Sequence, residues 1–572
     1  MPHRPKRRLS LRRLALIALA ILALLGLVAW AEREPLRAAL ASVTGEEDAW
    51  HQIKGFGAWL LLQLRPAPET APMTPIAHTG LSPYGINTFL EQEVEVAKIE
   101  RSLQLISQAG FQWIRQQFPW EDIEIYGKGD YWDHQWERSA WEKYDRLVAL
   151  AETYDLEIIA RLDNPPAWSR AVGNAEGWTL GPPDDFEDYG DFVYAVVRRY
   201  RGRIRYYQIW NEPNIYPEWG DQPVDPEAYV RLLQIAYRRA KEADPDCVII
   251  AAGLAQTTEQ GPRNLSDLVY LERMYAAGVH GHFDAMGAMV YGLWTGPLDR
   301  RTGPERTNFS RAQLIREIMV RHGDADKPLW ATEVGWNALP ADFQAAAIYG
   351  RVTPEQQARY AVQAYQRAAR EWPWMGVMNY WFFRRPSDAE RDQPWYYFRM
   401  AEPDFTLLPV YEAMRELTAQ PPMVQMGYHQ EEHWALTYQG EWRALAAEAA
   451  SGAYRQGVAG SELAFQFHGT GLDLVVLDAG QAENIVVYLD GQPVRRLTPT
   501  QAPGNGAPAL RVARNLRDRP HQVRIVVRQG TLDLDGLVVW RQPRWAVGVP
   551  LGIAALVGLA VALGMRAWRK QT

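Results

Sequence analysis

Between residues 83 and 414, short apolar runs alternate with longer amphipathic segments. The short runs are 84–87, 112–116, 157–162, 205–210, 248–253, 285–290, 329–333 and 376–381. The longer segments include 94–109, 141–154, 185–200, 226–243, 310–322 and 353–371, and their apolar residues recur at helical spacing. Strands that alternate with helices pair in parallel through right-handed crossovers. Eight such units within about 330 residues predict an α/β fold, a (β/α)8 barrel rather than an open doubly wound sheet.

Composition and missing motifs exclude several classes of protein. The chain of 572 residues has a formal net charge of −7, which argues against a nucleic-acid binder. Its single cysteine, Cys247, forms neither an internal disulfide nor a cysteine-based metal site. Neither G-x-G-x-x-G nor a P-loop follows a predicted strand, and there is no H-E-x-x-H or G-x-S-x-G motif. We therefore expect no cofactor and no metal, and nothing in the sequence indicates an oligomeric state.

The pattern changes after the predicted barrel. Alternating runs at 463–467, 472–477, 485–489 and 523–527 are separated by turn dipeptides such as Asp490-Gly491 and Asp535-Gly536. Short strands at this spacing predict an antiparallel β-sandwich over residues 427–542. Two alternatives stay open for it: a sugar-binding surface, or a spacer that holds the barrel away from a membrane, which we favour. We expect His429 and His433 in this region to be solvated surface residues.

Both ends of the sequence carry long uncharged runs. Residues 14–31 follow a basic N-terminus, and residues 546–565 precede Arg566, Arg569 and Lys570. Each run is long enough for a transmembrane helix, and their basic flanks predict cytoplasmic termini with the intervening chain outside the cell. An alternative for the first run is a signal peptide cleaved after Ala29-Trp30-Ala31, although we favour an uncleaved anchor. Residues 32–62 are expected to form a short helical segment, followed by a Pro-rich extended spacer at 65–75.

These patterns divide the chain into six parts. They are a basic N-terminus with the first span (1–31), a juxtamembrane segment with the Pro-rich linker (32–82), the barrel (83–420), the sandwich (427–542), the second span (545–566) and a cytoplasmic tail (567–572).

Two glutamates end predicted barrel strands, where the reactive groups of such barrels lie. Glu212 follows Ile209-Trp210-Asn211 at the end of the fourth strand, and Glu333 follows Trp330-Ala331-Thr332 at the end of the seventh. A charge beside apolar and aromatic residues is costly unless it has a function. Two carboxyl groups facing across a barrel mouth are the arrangement that glycoside hydrolysis requires, since one attacks the sugar and the other transfers the proton.

At these residues the chain resembles the large clan of TIM-barrel retaining glycoside hydrolases, and most of all families 39 and 5. Asn211-Glu212-Pro213 and Glu333 carry the resemblance, which covers residues 83–415. Further similar stretches are 110–115, Trp120, 145–148, 159–162 and Pro165 to Trp168.

The resemblance implies a role for each matching residue. Glu212 corresponds to the acid/base, Glu333 to the nucleophile, and Asn211 to the residue that binds the sugar 2-hydroxyl. Arg115, expected at the end of the second strand, would keep Glu333 ionised, and Tyr291 would donate a hydrogen bond to it.

Other residues are candidates for the barrel mouth. Trp381 corresponds to a sugar-stacking platform, with a core role as the alternative, and Met289 stands where many relatives carry a histidine. Asn87, Asp163, Trp120 and Trp336 are further candidates for lining the mouth.

The resulting hypothesis is a membrane-anchored, exported retaining glycosidase that acts on an oligo- or polysaccharide with β-linkages. The alternative is a non-catalytic glycan-binding or envelope-assembly protein with the same fold, because fold alone does not determine function. The sequence does not indicate which sugar or linkage is cleaved.

Overall fold

The computed structural model describes residues 33–170, 180–446, 449 and 452–541. Its centre is a closed barrel of eight parallel strands in the order β1-β8-β7-β6-β5-β4-β3-β2, as the alternating pattern predicts. The strands are β1 (Tyr84–Thr88), β2 (Trp113–Pro119), β3 (Glu157–Asp163), β4 (Tyr206–Ile209), β5 (Val248–Leu254), β6 (Ala285–Met289), β7 (Leu329–Val334) and β8 (Met375–Tyr380).

Helices surround this barrel and bury their apolar faces against it. They are α3 (Val96–Gln108), α4 (Glu142–Thr153), α5 (Phe186–Arg199), α6 (Pro226–Ala243), α7 (Asp267–Ala276), α8 (Ala312–Arg321), α9 (Pro354–Glu371) and α10 (Pro409–Thr418). Their starts follow ordinary capping rules. Thr353 and Gln356 form a capping box at α9, and the Asp225 side chain caps α6, where Pro226 takes the first helical position.

Aromatic side chains fill the barrel where its strands begin. Trp113 opens β2 and Tyr206 opens β4, and their rings lie 5.0 Å apart, while Trp330 of β7 lies 5.8 Å from Trp113. Side chains two residues apart on a strand point to the same side, so Arg115 and Gln208 come next inside the barrel. An apolar layer therefore closes the strand-start end, and polar side chains line the interior toward the mouth.

The position of Arg115 corrects one expectation. We expected β2 to end at Gln116, with Arg115 beside its end, but β2 continues through Pro119 and Arg115 is only its third residue. Gln116 and Gln117 interrupt the apolar run that marks this strand in the sequence, yet they belong to it. Arg115 consequently lies inside the barrel, where it is 2% exposed.

The predicted sandwich is present after the barrel as two antiparallel sheets. Its strands are β9 (Gly427–Gln430), β10 (Thr437–Gln439), β11 (Trp442–Ala446), β12 (Ala453–Val458), β13 (Glu462–Gly469), β14 (Gly471–Val476), β15 (Ile485–Leu489), β16 (Gln492–Pro493), β17 (Thr498–Gln501), β18 (Pro508–Ala513), β19 (Arg519–Val527) and β20 (Thr531–Trp540). One sheet has the order β11-β12-β20-β14-β18-β17 with β9 paired to β20, and the other has β10-β13-β19-β15-β16.

The sandwich contacts the barrel at the end where the strands begin. The Trp434 amide donates to the carbonyl of Gly80, four residues before β1, at 2.7 Å. The Tyr84 and Trp434 rings lie 6.1 Å apart, edge to face. Gly427 approaches Pro373, just before β8, so closely that a Cβ on Gly427 would lie 2.4 Å from the proline Cβ.

Two helices precede the barrel, α1 (Arg33–Thr44) and α2 (Ala49–Leu62), and residues 65–75 follow them without helix or strand. Rather than standing free, this last segment contacts the barrel, because Arg316 of α8 donates to the Thr70 carbonyl at 3.1 Å. Both runs expected to span a membrane, 14–31 and 546–565, lie outside the described residues. Within the described ranges, no helix has the length and apolarity needed to cross a bilayer.

Candidate active site

Glu333 is held by two donors near the end of β7. Arg115 Nη1 donates to its Oε1 at 3.0 Å, and the Tyr291 hydroxyl donates to its Oε2 at 2.5 Å. The glutamate is 5% exposed. Tyr291 reaches it from the loop that follows β6, so three strands contribute to this one contact. A carboxylate with each oxygen bound by a donor has a fixed orientation, as a nucleophile needs.

Arg115 joins this carboxylate to the rest of the site. Its Nη1 also donates to Asn87 Oδ1 at 2.6 Å, its Nε to Gln208 Oε1 at 2.7 Å, and its Nη2 to Asn211 Oδ1 at 2.8 Å. Burial lowers the pKa of Arg115, and the charge of Glu333 opposes that shift. The guanidinium therefore orients Glu333 and Asn211 together.

The backbone that carries Glu212 has an unusual conformation. Trp210 and Glu212 have φ angles of 71° and 39°, in the left-handed region that side chains other than glycine rarely adopt. The Glu212 amide donates to the Gly253 carbonyl of β5 at 3.1 Å, and Gln208 Nε2 donates to the Trp210 carbonyl at 2.7 Å. Backbone strain held by such bonds is typical of functional sites.

The electrostatics separate the two glutamates. Burial raises the pKa of Glu212 well above its usual value, and the negative charges of Glu333 and Glu218 raise it further. Glu333 instead has a cation and a phenol at hydrogen-bond distance. Glu212 is thus suited to hold a proton, whereas Glu333 is fixed by two hydrogen-bond donors, so the two carboxyl groups lie in different environments.

The negative charges of Glu212 and Glu333 also act on two tyrosines. Burial and the charge of Glu333 raise the pKa of Tyr291 well above its ordinary value. Burial and the charges of Glu212 and Glu333 raise the pKa of Tyr349 to about 12. Tyr291 therefore remains a phenol that donates its proton, and Tyr349 adds a hydroxyl from the loop after β7.

The sequence analysis missed a third carboxyl group, Glu218. Burial raises its pKa to about 7, with the charges of Asp163 and Glu333 adding to the rise, while Arg161 and a hydrogen bond from Asn211 oppose it. Arg161 Nε lies 2.8 Å from Asp163 Oδ2. Two sequence signals were available: Glu218 stands between Pro217 and Trp219 in the loop after Glu212, and Arg161 interrupts the apolar run of β3.

The remaining candidates for the barrel mouth are Asn87, Asp163 and Trp381. Asn87 contacts Arg115, and Asp163 is buried beside Arg161. Trp381 follows β8 and packs edge to face on Phe89 at 5.4 Å, in the cluster that includes Tyr291. Its ring is partly exposed and packs against this aromatic cluster.

Two expectations about the barrel mouth need correction. Trp120 and Trp336 do not line the mouth: both are fully buried, the first stacked on Phe192 and the second bonded through its indole to the Thr295 carbonyl. Their large apolar rings fill the space between the barrel and its surrounding layer. Met289 is also buried, and its sulfur accepts a hydrogen bond from Thr332 at 3.4 Å.

His429 and His433 are buried rather than solvated. Each is 6% exposed, because they lie where the sandwich meets the barrel, and their rings are 4.8 Å apart. Burial lowers the pKa of His429 to about 4 and that of His433 well below its usual value. Within the described ranges, no three His, Cys, Asp or Glu side chains are grouped to hold a metal ion.

Comparison with known proteins gives matches of two kinds. A family model described as carbohydrate esterase 2 N-terminal matches residues 446–533, within the sandwich. No protein of curated function matches the sequence significantly.

Solved structures similar to the chain include three bacterial proteins. The first is a family 39 glycoside hydrolase from the gut symbiont Bacteroides cellulosilyticus WH2, at 18% identity over 81% of this chain and 83% of that chain, with a TM-score of 0.45. A monomeric β-xylosidase from Caulobacter crescentus CB15 shares 14% identity over 81% and 97%, with a TM-score of 0.43. GH5_18 from Streptomyces cattleya, in complex with GlcNAc, shares 15% identity over 60% and 80%, with a TM-score of 0.44.

Proposed function

We propose that the chain is a retaining glycoside hydrolase that cleaves O-glycosidic bonds of β-linked glycans. One observation carries the proposal: Glu333 is bound by Arg115 and Tyr291, and its charge contributes to the raised pKa of Glu212. The site therefore pairs an oriented carboxylate with a carboxyl group that retains its proton, and glycoside hydrolysis by double displacement needs both.

The proposed reaction uses these two groups in two steps. A Glu333 oxygen bonds to the anomeric carbon as the glycosidic bond breaks, and Glu212 transfers its proton to the departing oxygen. A water molecule then gives a proton to Glu212 while its oxygen attacks the anomeric carbon and releases Glu333. Arg115 and Tyr291 orient Glu333 in both steps, and Asn211, held by Arg115, is positioned to contact the sugar.

The first test is covalent trapping. A panel of activated 2-fluoroglycosides should leave a sugar attached to the peptide that contains Glu333, detected by mass spectrometry, and the sugar that reacts identifies the specificity. The anomeric configuration of the first product, measured by NMR, should equal that of the substrate. An inverted product would contradict the double displacement, and a chain inert to every donor would favour the non-catalytic glycan-binding alternative.

The second test is Glu212→Ala. On substrates with poor leaving groups the loss of the acid should reduce the rate by about 10²–10⁴-fold. A substrate with a good leaving group needs little protonation, so its glycosylation step should be largely spared, and azide should restore turnover. Equal losses on both substrates without azide rescue would show that Glu212 is not the acid/base. Glu333→Ala is the matched control and should prevent trapping by every donor.

We also propose that two membrane spans, 14–31 and 546–565, hold this enzyme at the cell membrane with the barrel outside the cytoplasm. Their length and basic flanks support this topology. The native Cys247 is buried, so a cysteine placed at the exposed Ala149 gives a specific label. An impermeant maleimide should label Ala149→Cys in intact spheroplasts; labelling that requires lysis would contradict the topology.

A further inference from the structure

Helix α2 exposes a continuous apolar stripe. Trp50, Ile53, Leu60 and Leu61 are 60%, 59%, 46% and 70% exposed, and Leu64, just beyond the helix, is 83% exposed. At 100° per residue these positions fall within about a third of the helix circumference. Gly57 lies in the same stripe, with open space around it.

This stripe is not the face by which α2 packs on the barrel. The packing face carries the buried Gln52 and Gly55. Arg301, in the loop after β6, donates to the Thr44 carbonyl at 2.9 Å and to Glu46 at 2.8 Å. A Cβ on Gly55 would lie 2.9 Å from Arg301 Nη1, so the helix is already in close contact there. The stripe therefore points away from the protein.

Such a surface needs a partner. Contiguous exposed apolar patches larger than a few hundred Å² are rare on soluble proteins and mark binding surfaces. The polar groups beside this stripe are typical of a membrane interface: Lys54 Nζ lies 4.7 Å from the centre of the Trp50 ring. A tryptophan with a lysine at the edge of an apolar helix face suits the boundary between lipid headgroups and acyl chains.

We infer that the exposed face of α2 lies in the headgroup region of the bilayer and holds the barrel against the membrane surface. This inference rests on the proposed anchoring. The uncharged run 14–31 ends two residues before α1 begins at Arg33, and α1 spans only about 18 Å. Helix α2 follows after a four-residue connection and packs against α1, so its apolar stripe is within reach of lipid.

The contacts of α1 and α2 with the barrel indicate which of its sides faces the membrane in this arrangement. Their connecting segment meets the loop 293–308, which follows β6, and Glu47 meets Tyr360 near the start of α9 at 2.8 Å. The same loop contributes Arg300, which donates to the Val43 carbonyl and also pairs with Glu371 at the end of α9, so α1 and α2 lie along the side of the barrel formed by this loop and α9.

The test uses the full chain in phosphatidylcholine/phosphatidylglycerol vesicles. Ile53→Cys and Leu61→Cys are labelled with an environment-sensitive fluorophore, and Ala149→Cys on α4, across the barrel, is the control. Brominated lipids should quench the probes at 53 and 61 but not at 149. All three variants should cleave a soluble aryl glycoside at the parent rate, because none lies in the active site.

Three results would overturn the inference. Equal lack of quenching at 53, 61 and 149, in protein that resists alkaline extraction, would refute the α2 contact and leave the anchoring intact. If the fluorophores at 53 and 61 are shielded from water, but lose this shielding when each vesicle holds one protein, the partner of the stripe is a second copy of the chain. Release of the protein by alkaline extraction would refute both the anchoring and the contact.

Discussion

Arg115 is the residue on which the candidate site is organised. Its Nε, Nη1 and Nη2 donate to four different side chains, and the fixed geometry of the guanidinium sets the directions of those bonds. A lysine carries one ammonium group on a flexible chain and does not bridge four separated acceptors. The orientations of Glu333 and Asn211 are therefore coupled through a single side chain.

Gln208 of β4 supports this coupling from inside the barrel. It accepts from Arg115 Nε and donates to the Trp210 carbonyl, so it joins Arg115 to the strained backbone beside Glu212. Gln208→Leu breaks both bonds, and hydrogen bonds to charged groups contribute about 1.5–3 kcal/mol. We expect kcat to fall by about 10–100-fold with little change in KM, measured by steady-state kinetics.

Two variants test whether Gln208 acts by positioning. Gln208→Glu still accepts from Arg115 but no longer donates to Trp210, so it should recover part of the lost kcat. Gln234→Leu removes a glutamine of α6 that donates to the Gly278 carbonyl, far from the site, and it should retain parental kinetics. A parallel loss of kcat and of thermal stability in Gln208→Leu, without partial recovery in Gln208→Glu, would contradict the positioning role.

Glu218 should set part of the pH profile. As the proposed acid/base, Glu212 would act while protonated, so activity should fall as the pH rises through its pKa. The charge of Glu218, which develops near pH 7, raises that pKa, and Glu218→Gln removes the charge. The basic limb of kcat/KM should therefore move to lower pH. Glu187→Gln, on the outer surface of α5, should leave the limb in place; an unmoved limb in Glu218→Gln would refute the coupling.

Residues that end apolar runs could be predicted, and residues inside loops could not. Glu212 and Glu333 follow apolar strands, which is a pattern visible in one sequence. Glu218 lies in an irregular loop and enters the site only through the turn made by residues 212–217. Trp336 shows the opposite error, because its position after β7 does not reveal that its ring turns away from the mouth into the core.

At the scale of elements, the sequence predicts strand existence better than strand length. All eight barrel strands are present where apolar runs predict them, but β2 is longer than expected, because Arg115 and Gln117, whose side chains point to the barrel interior, belong to it. The expected single helical segment 32–62 is two helices. Gly45 has a φ of 64°, and Asp48 caps α2 by accepting from the amides of Trp50 and His51.

Two glycines of α2 give a matched prediction for this element. At Gly57 an added methyl meets nothing, so Gly57→Ala should stabilise the helix by about 0.5–1 kcal/mol. At Gly55 the methyl meets Arg301 and Thr44, so Gly55→Ala should weaken the docking of α2. Hydrogen exchange of amides 49–62 should slow in the first variant and accelerate in the second. Slower exchange in both would show that α2 is not docked as described.

At the scale of the whole molecule, we expect the junction of barrel and sandwich to lose stability in acid. His429 is neutral when folded, with a pKa of about 4, and charges near pH 6.5 when unfolded. The unfolded state thus binds more protons between these values, so stability is complete above pH 6.5 and is lost as the pH falls toward 4. The contribution of His429 to this loss is about 3 kcal/mol.

The measurement is the midpoint of urea denaturation, determined at a series of pH values from 7.5 to 4. Carboxyl groups also titrate in this range. The quantity to compare is therefore the change in urea midpoint with pH in the parent and in His429→Gln. Glutamine stays neutral and can donate to the Gln425 carbonyl as the imidazole does, and its midpoint should depend less on pH. His134→Gln changes an exposed histidine and should follow the parent. Identical pH dependence in all three proteins would refute a role for the junction.

The sandwich meets the barrel where the strands begin, whereas Glu212 and Glu333 lie where they end. The seven residues of β2 span roughly 20 Å, which sets the scale of the separation between the two ends. A sugar unit held on the sandwich would therefore be a different unit from one bound at Glu212 and Glu333. If the sandwich binds glycan, its ligands should be non-competitive with those of the barrel, and a soluble fragment that saturates one domain should leave the affinity of the other unchanged.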